Sequence, residues 1–233
     1  MTAHHGTHGA TVAILLAAGS SSRMGAPTSY GSISAVRVLA HSLRTLAGIE
    51  EIDTLVVVAP AEHHAELYRL GVSAGRRVVC VEGGARRRDS VRAGMGAAAD
   101  AAWYLVHDGA RPLASPSLVR RLLEAVRTRR AVVPALAVVD TIKRVDALGV
   151  VRETLPRAEL RAVQTPQAFA GDLLRRAHAL DEADATDDAA LVERLGEAVH
   201  VIDGEPANLK VTTPEDLDRA RSLLDAASHG GQH

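Results

Sequence analysis

The chain has 233 residues, which is long enough for one α/β domain with a substantial buried core. Its formal net charge of −1 gives no bulk electrostatic attraction to nucleic acid or to an anionic membrane. Aromatic residues make up 2% of the chain and leave few rings for base stacking. We therefore expect neither nucleic acid nor a membrane as a partner.

The two ends of the chain predict tails rather than targeting segments. The first ten residues lack the basic and apolar regions of a secretory signal, and no apolar run approaches the ~18 residues of a membrane span. A cytoplasmic protein is the resulting expectation. Histidine and glycine in both ends predict disorder over residues 1–10 and 226–233, with weak adventitious metal binding as the alternative. The single cysteine, Cys80, lies in an apolar run and is predicted to be a buried, inert thiol.

Apolar runs alternate with helical patterns through the first half of the chain. The runs that predict buried strands are 11–18, 52–60, 76–84 and 102–112. The patterns that predict the intervening helices are 36–47, 61–72, 87–99 and 115–129. Asp89 or Ser90 is expected near the cap of the third helix, and Ser115 and Pro116 are expected to begin the fourth. This alternation is typical of a mostly parallel sheet covered by helices on both faces.

The pattern changes after the fourth helix. Two β-rich segments, "DTIKRV" and "VVRETL", flank "DALG" and predict a hairpin arm at about residues 137–160. A protruding hairpin needs a surface to pack on, so it favours a partner subunit. Helices at 171–180 and 187–195, a strand at 198–204 and a closing helix capped by Thr213 complete the prediction. No linker or internal repeat is visible, and we predict one domain over residues 11–225.

In parallel sheets, ligands bind beyond the carboxyl ends of the strands, which directs attention to three loops. These loops are "AAGSSSRM", "GGARRRDS" and "HDGARP". The first matches neither the dinucleotide fingerprint nor the P-loop. Its small residues still leave backbone N–H groups free to face an anion, although a plain tight turn explains them equally well.

Lysine usage and one carboxylate at a strand end also point to a phosphate-binding site. The chain has 27 lysines and arginines, but only Lys143 and Lys210 are lysines. They are candidates for point-charge contacts to phosphate, with solvated surface positions as the alternative. Asp108, at the end of the fourth strand, can hold Mg²⁺ beside phosphate oxygens, and Arg111 suits a second anion. The alternatives are a turn aspartate and a surface arginine; His107 is expected to be packed or capping.

Together these segments resemble one family. "AAGSSSRM", "GGARRRDSV", "LVHDGARP", "DTIKR", "LRAVQTPQAF", "ATDDAALVE" and "NLKVTTPEDL" occur in the order and spacing of the 2-C-methyl-D-erythritol 4-phosphate cytidylyltransferases, from about Val12 to Leu224. The resemblance implies a nucleotidyltransferase-type, Rossmann-like (GT-A-type) sheet with a dimerisation arm. It also implies a homodimer and a reaction that joins CTP to a polyol phosphate with Mg²⁺ and releases pyrophosphate.

The resemblance also implies roles for individual residues by motif position. Residues implied to bind the nucleotide are Ala17, Ala18, Gly19, Gly84, Arg87, Ser90, Asp108 and Gly109. Residues implied to bind the polyol phosphate are Arg111, Thr141, Arg157, Thr165, Thr186 and Lys210, with Thr141 and Arg157 donated by the other subunit. Arg23 and Lys210 are implied to be catalytic by stabilising charge on the triphosphate. Asp108 is implied to lie near the metal.

The chain departs from the family pattern in the first loop. Ser21 replaces a glycine, and "PTSY" stands where the family has P-K-Q-[FY], so the family's lysine position is Thr28 and the loop is about two residues shorter. Losing one preorganised transition-state contact costs on the order of 10²–10³ in rate. Three interpretations remain: an altered but working cytidylyltransferase, a paralogue for another polyol phosphate such as ribitol 5-phosphate, or a non-catalytic nucleotide-binding relative. The complete set of substrate-side residues favours an enzyme.

Overall fold

The computed structural model of the protein describes residues 9–17, 33–72, 75–180 and 185–229, without the side chains of 33–37 and 227–229. The strands are β1 (Thr11–Leu16), β2 (Thr54–Val58), β3 (Arg77–Val81), β4 (Trp103–Asp108), β5 (Ala131–Ala137), β6 (Lys143–Val145), β7 (Val151–Thr154), β8 (Arg161–Val163), β9 (Gln167–Ala170) and β10 (His200–Asp203). The helices are α1 (Ile33–Ala47), α2 (His64–Val72), α3 (Arg87–Gly96), α4 (Pro116–Arg129), α5 (Gly171–Ala179), α6 (Asp188–Arg194) and α7 (Pro214–His229).

Eight of these strands form one sheet in the order β10-β5-β9-β4-β1-β2-β3, with β8 paired to β5. The pairs β1–β2, β1–β4, β2–β3 and β5–β10 are parallel, and this confirms the predicted mostly parallel sheet. Strand β9 runs antiparallel between β4 and β5, and β8 is also antiparallel to β5. The sequence patterns did not predict β5, β8 or β9, because these strands are short or, in β5, interrupted by Pro134.

Alternate side chains along the central strands point to opposite faces of the sheet and pack into two apolar layers, as a sheet covered on both faces requires. On one face, Leu15 and Leu55 pack with buried leucines of α1 and α4. On the other face, Ile14 and Val56 pack with buried residues of α3, α5 and α6. Cys80 on β3 is only half-buried rather than fully buried as predicted, and this partial burial raises the pKa of its thiol.

The first turns of three helices follow the local sequence signals. The Ser115 side chain accepts a hydrogen bond from Leu118 N at 3.0 Å, with Pro116 at the first position of α4. Thr213 likewise accepts from Asp216 N at the start of α7. Helix α3 begins at Arg87, as predicted, and Asp89 lies near its cap, where its side chain accepts the Arg86 N–H from within the first turn.

Strands β6 and β7 form a separate two-stranded sheet, which confirms the predicted hairpin. Apolar side chains on and beside this arm are exposed, among them Val139, Val151 and Leu148, which is 88% exposed. Helix α7 runs to His229 and so continues into the segment predicted as a tail. Within the described ranges, no helix is long and apolar enough to cross a membrane.

Candidate active site

The candidate site begins where β4 and β1 end side by side at the carboxyl edge of the sheet. The register pairs Asp108 with Leu16, and Gly109 N donates to Leu16 O at 2.8 Å. A β-carbon on Gly109 would lie 2.8 Å from that same carbonyl oxygen, so the close approach of the two strand ends requires glycine. Asp108 is thereby held beside the start of the first loop.

Two cations hold the Asp108 carboxylate. Arg87 Nε lies 3.3 Å from Oδ1, and Lys210 Nζ lies 2.8 Å from Oδ2. Burial by itself raises the pKa of Asp108, but the charges of Arg87 and Lys210 outweigh this effect and lower the pKa to about 2. Asp108 is therefore an anion at neutral pH, although its side chain is only 14% exposed.

A buried hydrogen-bond chain fixes the Asp108 backbone. His107 Nε2 lies 3.1 Å from Arg111 O, and since a carbonyl only accepts, Nε2 carries the proton. Nδ1 then accepts from the Thr165 hydroxyl at 3.1 Å, and the same hydroxyl accepts from Asp108 N at 3.0 Å. Burial lowers the pKa of His107 to about 4, so the ring is neutral at pH 7. His107 is packed, as predicted, and positions a strand end.

Arg87 joins Asp108 to a second carboxylate that the sequence reasoning did not single out. Its Nη1 donates to Asp188 Oδ2 at 2.7 Å, and Asp188 Oδ1 accepts from His178 Nε2 at 2.9 Å. Burial lowers the pKa of the Arg87 guanidinium, but Asp188 and Asp108 outweigh it, and the net shift is upward. The pKa of Asp188 is lowered, because Arg87 and His178 outweigh the effect of burial. The only sequence signal for Asp188 was its place in "ATDDAALVE".

Lys210 reaches Asp108 from a loop that buried amides hold in place. Asn208 Nδ2 donates to Thr165 O at 2.9 Å, and Gln164 Nε2 donates to the carbonyls of Glu205 and Asn208. Val211 N also donates to Ala110 O at 2.8 Å. Sequence reasoning missed Asn208 and Gln164, since neither residue type signals chemistry. Their contacts bring a lysine to a carboxylate 102 residues away.

The Arg111 side chain contacts the loop that carries Lys210. Its Nη1 donates to Asn208 O at 2.8 Å, and burial lowers the pKa of the guanidinium. Its Nε is buried and has no hydrogen-bond partner among the described residues. Arg111 therefore braces the segment that carries Lys210, and its predicted contact with an anion stays a prediction.

The loop between β3 and α3 closes another side of the site. Gly84 N donates to Ser90 Oγ at 3.2 Å, and Ser90 is buried. A β-carbon on Gly84 would meet the Asp89 side chain, so the loop packs closely on the first turn of α3. This turn carries Arg87, and the loop therefore fixes the helix end from which the guanidinium extends.

Four of the remaining predicted residues lie within the described ranges. Ala17 is buried, and its N–H donates to Val58 O at 2.8 Å. Thr141 and Arg157 lie on or beside the exposed arm, where Arg157 Nη1 donates to Val139 O. Thr186 is exposed just before α6. The predicted residues that lie outside the described part of the chain are Ala18, Gly19, Arg23 and Thr28.

The two lysines have different surroundings. Lys143 Nζ donates to Thr154 Oγ1 at 2.6 Å across the hairpin, whereas Lys210 pairs with Asp108. Both lysines were candidates for phosphate contacts, but only Lys210 lies beside a carboxylate at the strand ends. The cluster around Asp108, which we define as Arg87, Asp108, Thr165, Asp188 and Lys210, combines anions and cations at a sheet edge.

The Lys210 ammonium and the Asp108 carboxylate are the types of group that attract an anionic ligand and a cation, respectively. Among the described residues, no group of three or more histidine, cysteine, aspartate or glutamate side chains could hold a metal by itself. Mg²⁺ does not need such a group, since it is commonly bound by one or two carboxylates together with substrate phosphates. The partly exposed carboxylate of Asp108 fits that mode.

The chain is similar to one known protein family over most of its length. A family model described as 2-C-methyl-D-erythritol 4-phosphate cytidylyltransferase matches residues 11–226. A protein of that name from Nocardia farcinica is 49% identical over 93% of this chain and 95% of its own length, and one from Rhodococcus jostii is 47% identical over 95% and 98%.

Solved structures give the same result. The crystal structure of 4-diphosphocytidyl-2C-methyl-D-erythritol synthase from Anaerococcus prevotii superposes with a TM-score of 0.80 and 30% identity, covering 93% of this chain and 99% of that one. The crystal structure of 2-C-methyl-D-erythritol 4-phosphate cytidylyltransferase from Thermus thermophilus gives a TM-score of 0.72 and 34% identity, with 91% and 98% covered.

Proposed function

We propose that the cluster around Asp108 is the active site of this chain, which belongs to the 2-C-methyl-D-erythritol 4-phosphate cytidylyltransferase family. The chain is a nucleotidyltransferase of isoprenoid precursor synthesis. It joins CTP and 2-C-methyl-D-erythritol 4-phosphate to give 4-diphosphocytidyl-2-C-methylerythritol and pyrophosphate. Of the three interpretations of the altered loop, the relatives favour the working cytidylyltransferase.

The observation that carries the site assignment is the anion at the end of β4 that Arg87 and Lys210 contact from distant segments. In the reaction, an oxygen of the methylerythritol phosphate attacks the α-phosphorus of CTP. A new P–O bond forms, and the bond to the departing pyrophosphate breaks. The attacking phosphate is already anionic, so no general base is needed, and the protein contributes positioning and neutralisation of charge.

We assign Lys210 to the phosphates, because its partly exposed ammonium is the cation of the cluster that can turn toward a ligand. Arg87 is held by two carboxylates and serves to keep Asp108 in place. Gly84 and Ser90 shape the loop that the family resemblance implies to bind the nucleotide. Thr165 orients Asp108, and its predicted contact with the substrate remains part of the proposal.

We propose Mg²⁺ as the cofactor, with Asp108 as its protein ligand and the triphosphate supplying further oxygens. Carboxylate oxygen is the ligand type that this ion prefers. When bound, Mg²⁺ neutralises charge on the phosphate oxygens. Arg87 keeps the carboxylate oriented while Lys210 is free to exchange partners, and these two contacts support the assignment.

We also propose a cytoplasmic homodimer formed through the arm. The exposed apolar side chains of Val139, Leu148 and Val151 support it, because an isolated two-stranded hairpin is marginal in water and gains stability by packing. Thr141 and Arg157 lie on the same arm. A dimer would bring these two residues to the partner's substrate, as the family resemblance implies.

Pyrophosphate release tests the function. The purified protein is mixed with CTP, Mg²⁺ and 2-C-methyl-D-erythritol 4-phosphate, with ribitol 5-phosphate in a parallel reaction. We expect release with the methylerythritol substrate. Release with ribitol 5-phosphate alone would instead assign the sister activity, and binding of CTP without release from either substrate would contradict the catalytic assignment.

The altered first loop gives a second test. Thr28 lies outside the described residues, and it occupies the family's lysine position. Thr28→Lys is expected to raise turnover, by up to on the order of 10²-fold, if the added charge reaches the triphosphate. Thr28→Gln, which adds length without charge, is the matched control. Equal turnover of the wild type and both variants would show that the charge comes from elsewhere.

A further inference from the structure

We propose that Asp188 is a positioning residue for the reaction, which holds the Arg87 guanidinium so that it orients Asp108 without fully neutralising it. The inference rests on the proposed function, because it takes the site to be at Asp108. Asp188 is 1% exposed and 101 residues from Arg87 in the chain. It is not implied by the motif roles assigned from the sequence.

The two bonds of Arg87 are unequal. Its Nη1 lies 2.7 Å from Asp188 Oδ2, whereas its Nε lies 3.3 Å from Asp108 Oδ1. Charge-assisted N–H···O bonds are strongest at about 2.7–2.9 Å, so Asp188 is the tighter partner. The guanidinium is thus anchored by the buried carboxylate, and Asp108 receives the weaker contact and keeps an oxygen for Lys210.

Asp188 has little freedom to move. Its second oxygen accepts from His178 Nε2 at 2.9 Å, and His178 is itself buried at the end of α5. Arg88 donates to the His178 carbonyl at 3.1 Å and connects α5 back to α3. The N-cap side chain of Asp187 accepts from Ala190 N and fixes the helix end on which Asp188 lies. Helices α3, α5 and α6 therefore set the position of one guanidinium.

This arrangement predicts what happens when Asp188 loses its charge. Arg87 would remain buried with one carboxylate instead of two, and its charge would be balanced by Asp108 alone. Asp108 would then be bound more tightly and be less available to the other cations of the reaction. CTP binding and turnover would fall, because Asp188 acts on the site through Arg87.

A double-mutant cycle tests the inference. The variants are Asp188→Asn, Arg87→Met and their combination, and the readouts are the Kd of CTP with Mg²⁺ by calorimetry and kcat/KM from pyrophosphate release. Asp188→Asn is expected to weaken both by about 10–100-fold in the wild-type background and by less than about threefold in the Arg87→Met background. Equal effects in both backgrounds would overturn the proposal.

Matched controls separate positioning from folding. The exposed pair of Arg130 and Asp172 has the same 2.7 Å distance, so Asp172→Asn removes an equivalent contact without reaching the site, and we expect unchanged kinetics. If Asp188→Asn does not fold at the assay temperature, Arg87→Met is compared with the double variant, which has no lone buried arginine. Equal CTP affinities support the proposal, and a further loss overturns it.

The outcome is distinguishable from failure of the proposed function. The CTP affinities of the cycle do not depend on turnover. If the wild type binds CTP but releases no pyrophosphate, the function fails while the cycle still decides the role of Asp188. If the wild type releases pyrophosphate and the cycle is additive, the positioning role alone is wrong.

Discussion

The cluster around Asp108 and the hairpin arm are both predicted to act on the same substrates, yet they differ in how complete they are within one chain. In the cluster, Arg87, Asp108 and Asp188 are largely buried, and Arg87 contacts both carboxylates. On the arm, the side chains of β6 and β7 are exposed on strands that pair only with each other among the described residues.

The difference shows which part of the reaction a single chain can organise. Buried ion pairs act at low effective dielectric and hold fixed positions, so the cluster is preorganised before any ligand arrives. An exposed hairpin has neither property until another surface covers it. We therefore expect changes in the cluster to act on each chain separately and changes in the arm to act through assembly.

The two lysines give the largest expected contrast. Lys210→Met removes the cation beside Asp108, and kcat/KM is expected to fall by about 10²–10³-fold, as for loss of one preorganised charge contact. Lys143→Met removes the hydrogen bond to Thr154 on the arm and is expected to change kcat/KM by less than about threefold. Steady-state pyrophosphate release measures both.

Because Lys210 is 43% exposed, its loss is not expected to lower the melting temperature by more than a few degrees. Circular dichroism during heating checks this point. A comparable loss of activity in both lysine variants would remove the distinction between the cluster and the arm.

A charge placed on the arm is expected to act on assembly. Val151→Asp is present on both subunits of a dimer, and burying each altered site loses about 1.5 kcal/mol, so the dimer Kd should rise by about 100-fold. Val201→Asp is the control, because Val201 on edge strand β10 is 46% exposed and Val151 is 53% exposed. Analytical ultracentrifugation over a concentration series gives the Kd.

The concentration dependence of enzyme activity provides a second test of the arm as the dimer interface. If Thr141 and Arg157 serve the partner's site, dilute Val151→Asp protein loses activity and regains it when concentrated. A Val201→Asp variant that dissociates equally would show that the arm is not the interface, and an inactive but fully dimeric Val151→Asp would contradict the assembly mechanism.

The smallest expected effect concerns acid stability. The folded pKa of Asp108 is about 2 and lies below the unfolded value of 3.8, so the stability that this group contributes is present above about pH 4 and is lost as the pH falls toward 2. The shift corresponds to about 2 kcal/mol, of which about half is lost by pH 3. Urea unfolding of wild type and Asp108→Asn at pH 6 and pH 3 measures it.

Asp146 on the arm is the comparison, since hydrogen bonds from the arm's backbone and Arg152 lower its pKa as well. Its side chain is 24% exposed, compared with 14% for Asp108, so solvent screens its interactions more, and Asp146→Asn is expected to change the acid dependence less than Asp108→Asn does. An equal or larger change from Asp146→Asn would contradict the contrast drawn between buried and exposed groups.

Local patterns were sufficient to predict much of the fold. The apolar runs of β1 to β4 and the caps at Ser115 and Thr213 depend on neighbouring residues, and the structure confirms them. Strand β5 was missed because Pro134 lacks an N–H and argues against a central strand. Strand β9 has four residues and takes its antiparallel place through tertiary pairing alone.

In the site, too, the features that depend on local sequence were predicted, and those that depend on distant contacts were not. Asp108 was predicted because a strand end marks the ligand edge of a parallel sheet. Asp188, Asn208 and Gln164 were not, because their roles arise from contacts with residues more than 40 positions away. The role of a buried carboxylate depends on the residue it pairs with, and a sequence pattern does not show which residue that is.

The pairing of Lys210 with Asp108 also bears on the order in which the nascent protein matures. The lysine follows the aspartate by 102 residues, which take roughly 5–20 s to synthesise at about 5–20 residues per second. During that interval β1 to β4 have already been synthesised, while Thr165, Asp188 and Lys210 are still being added. These four strands therefore have time to pair before the cluster around Asp108 is complete, and the proposed site is assembled only after Lys210 has been added.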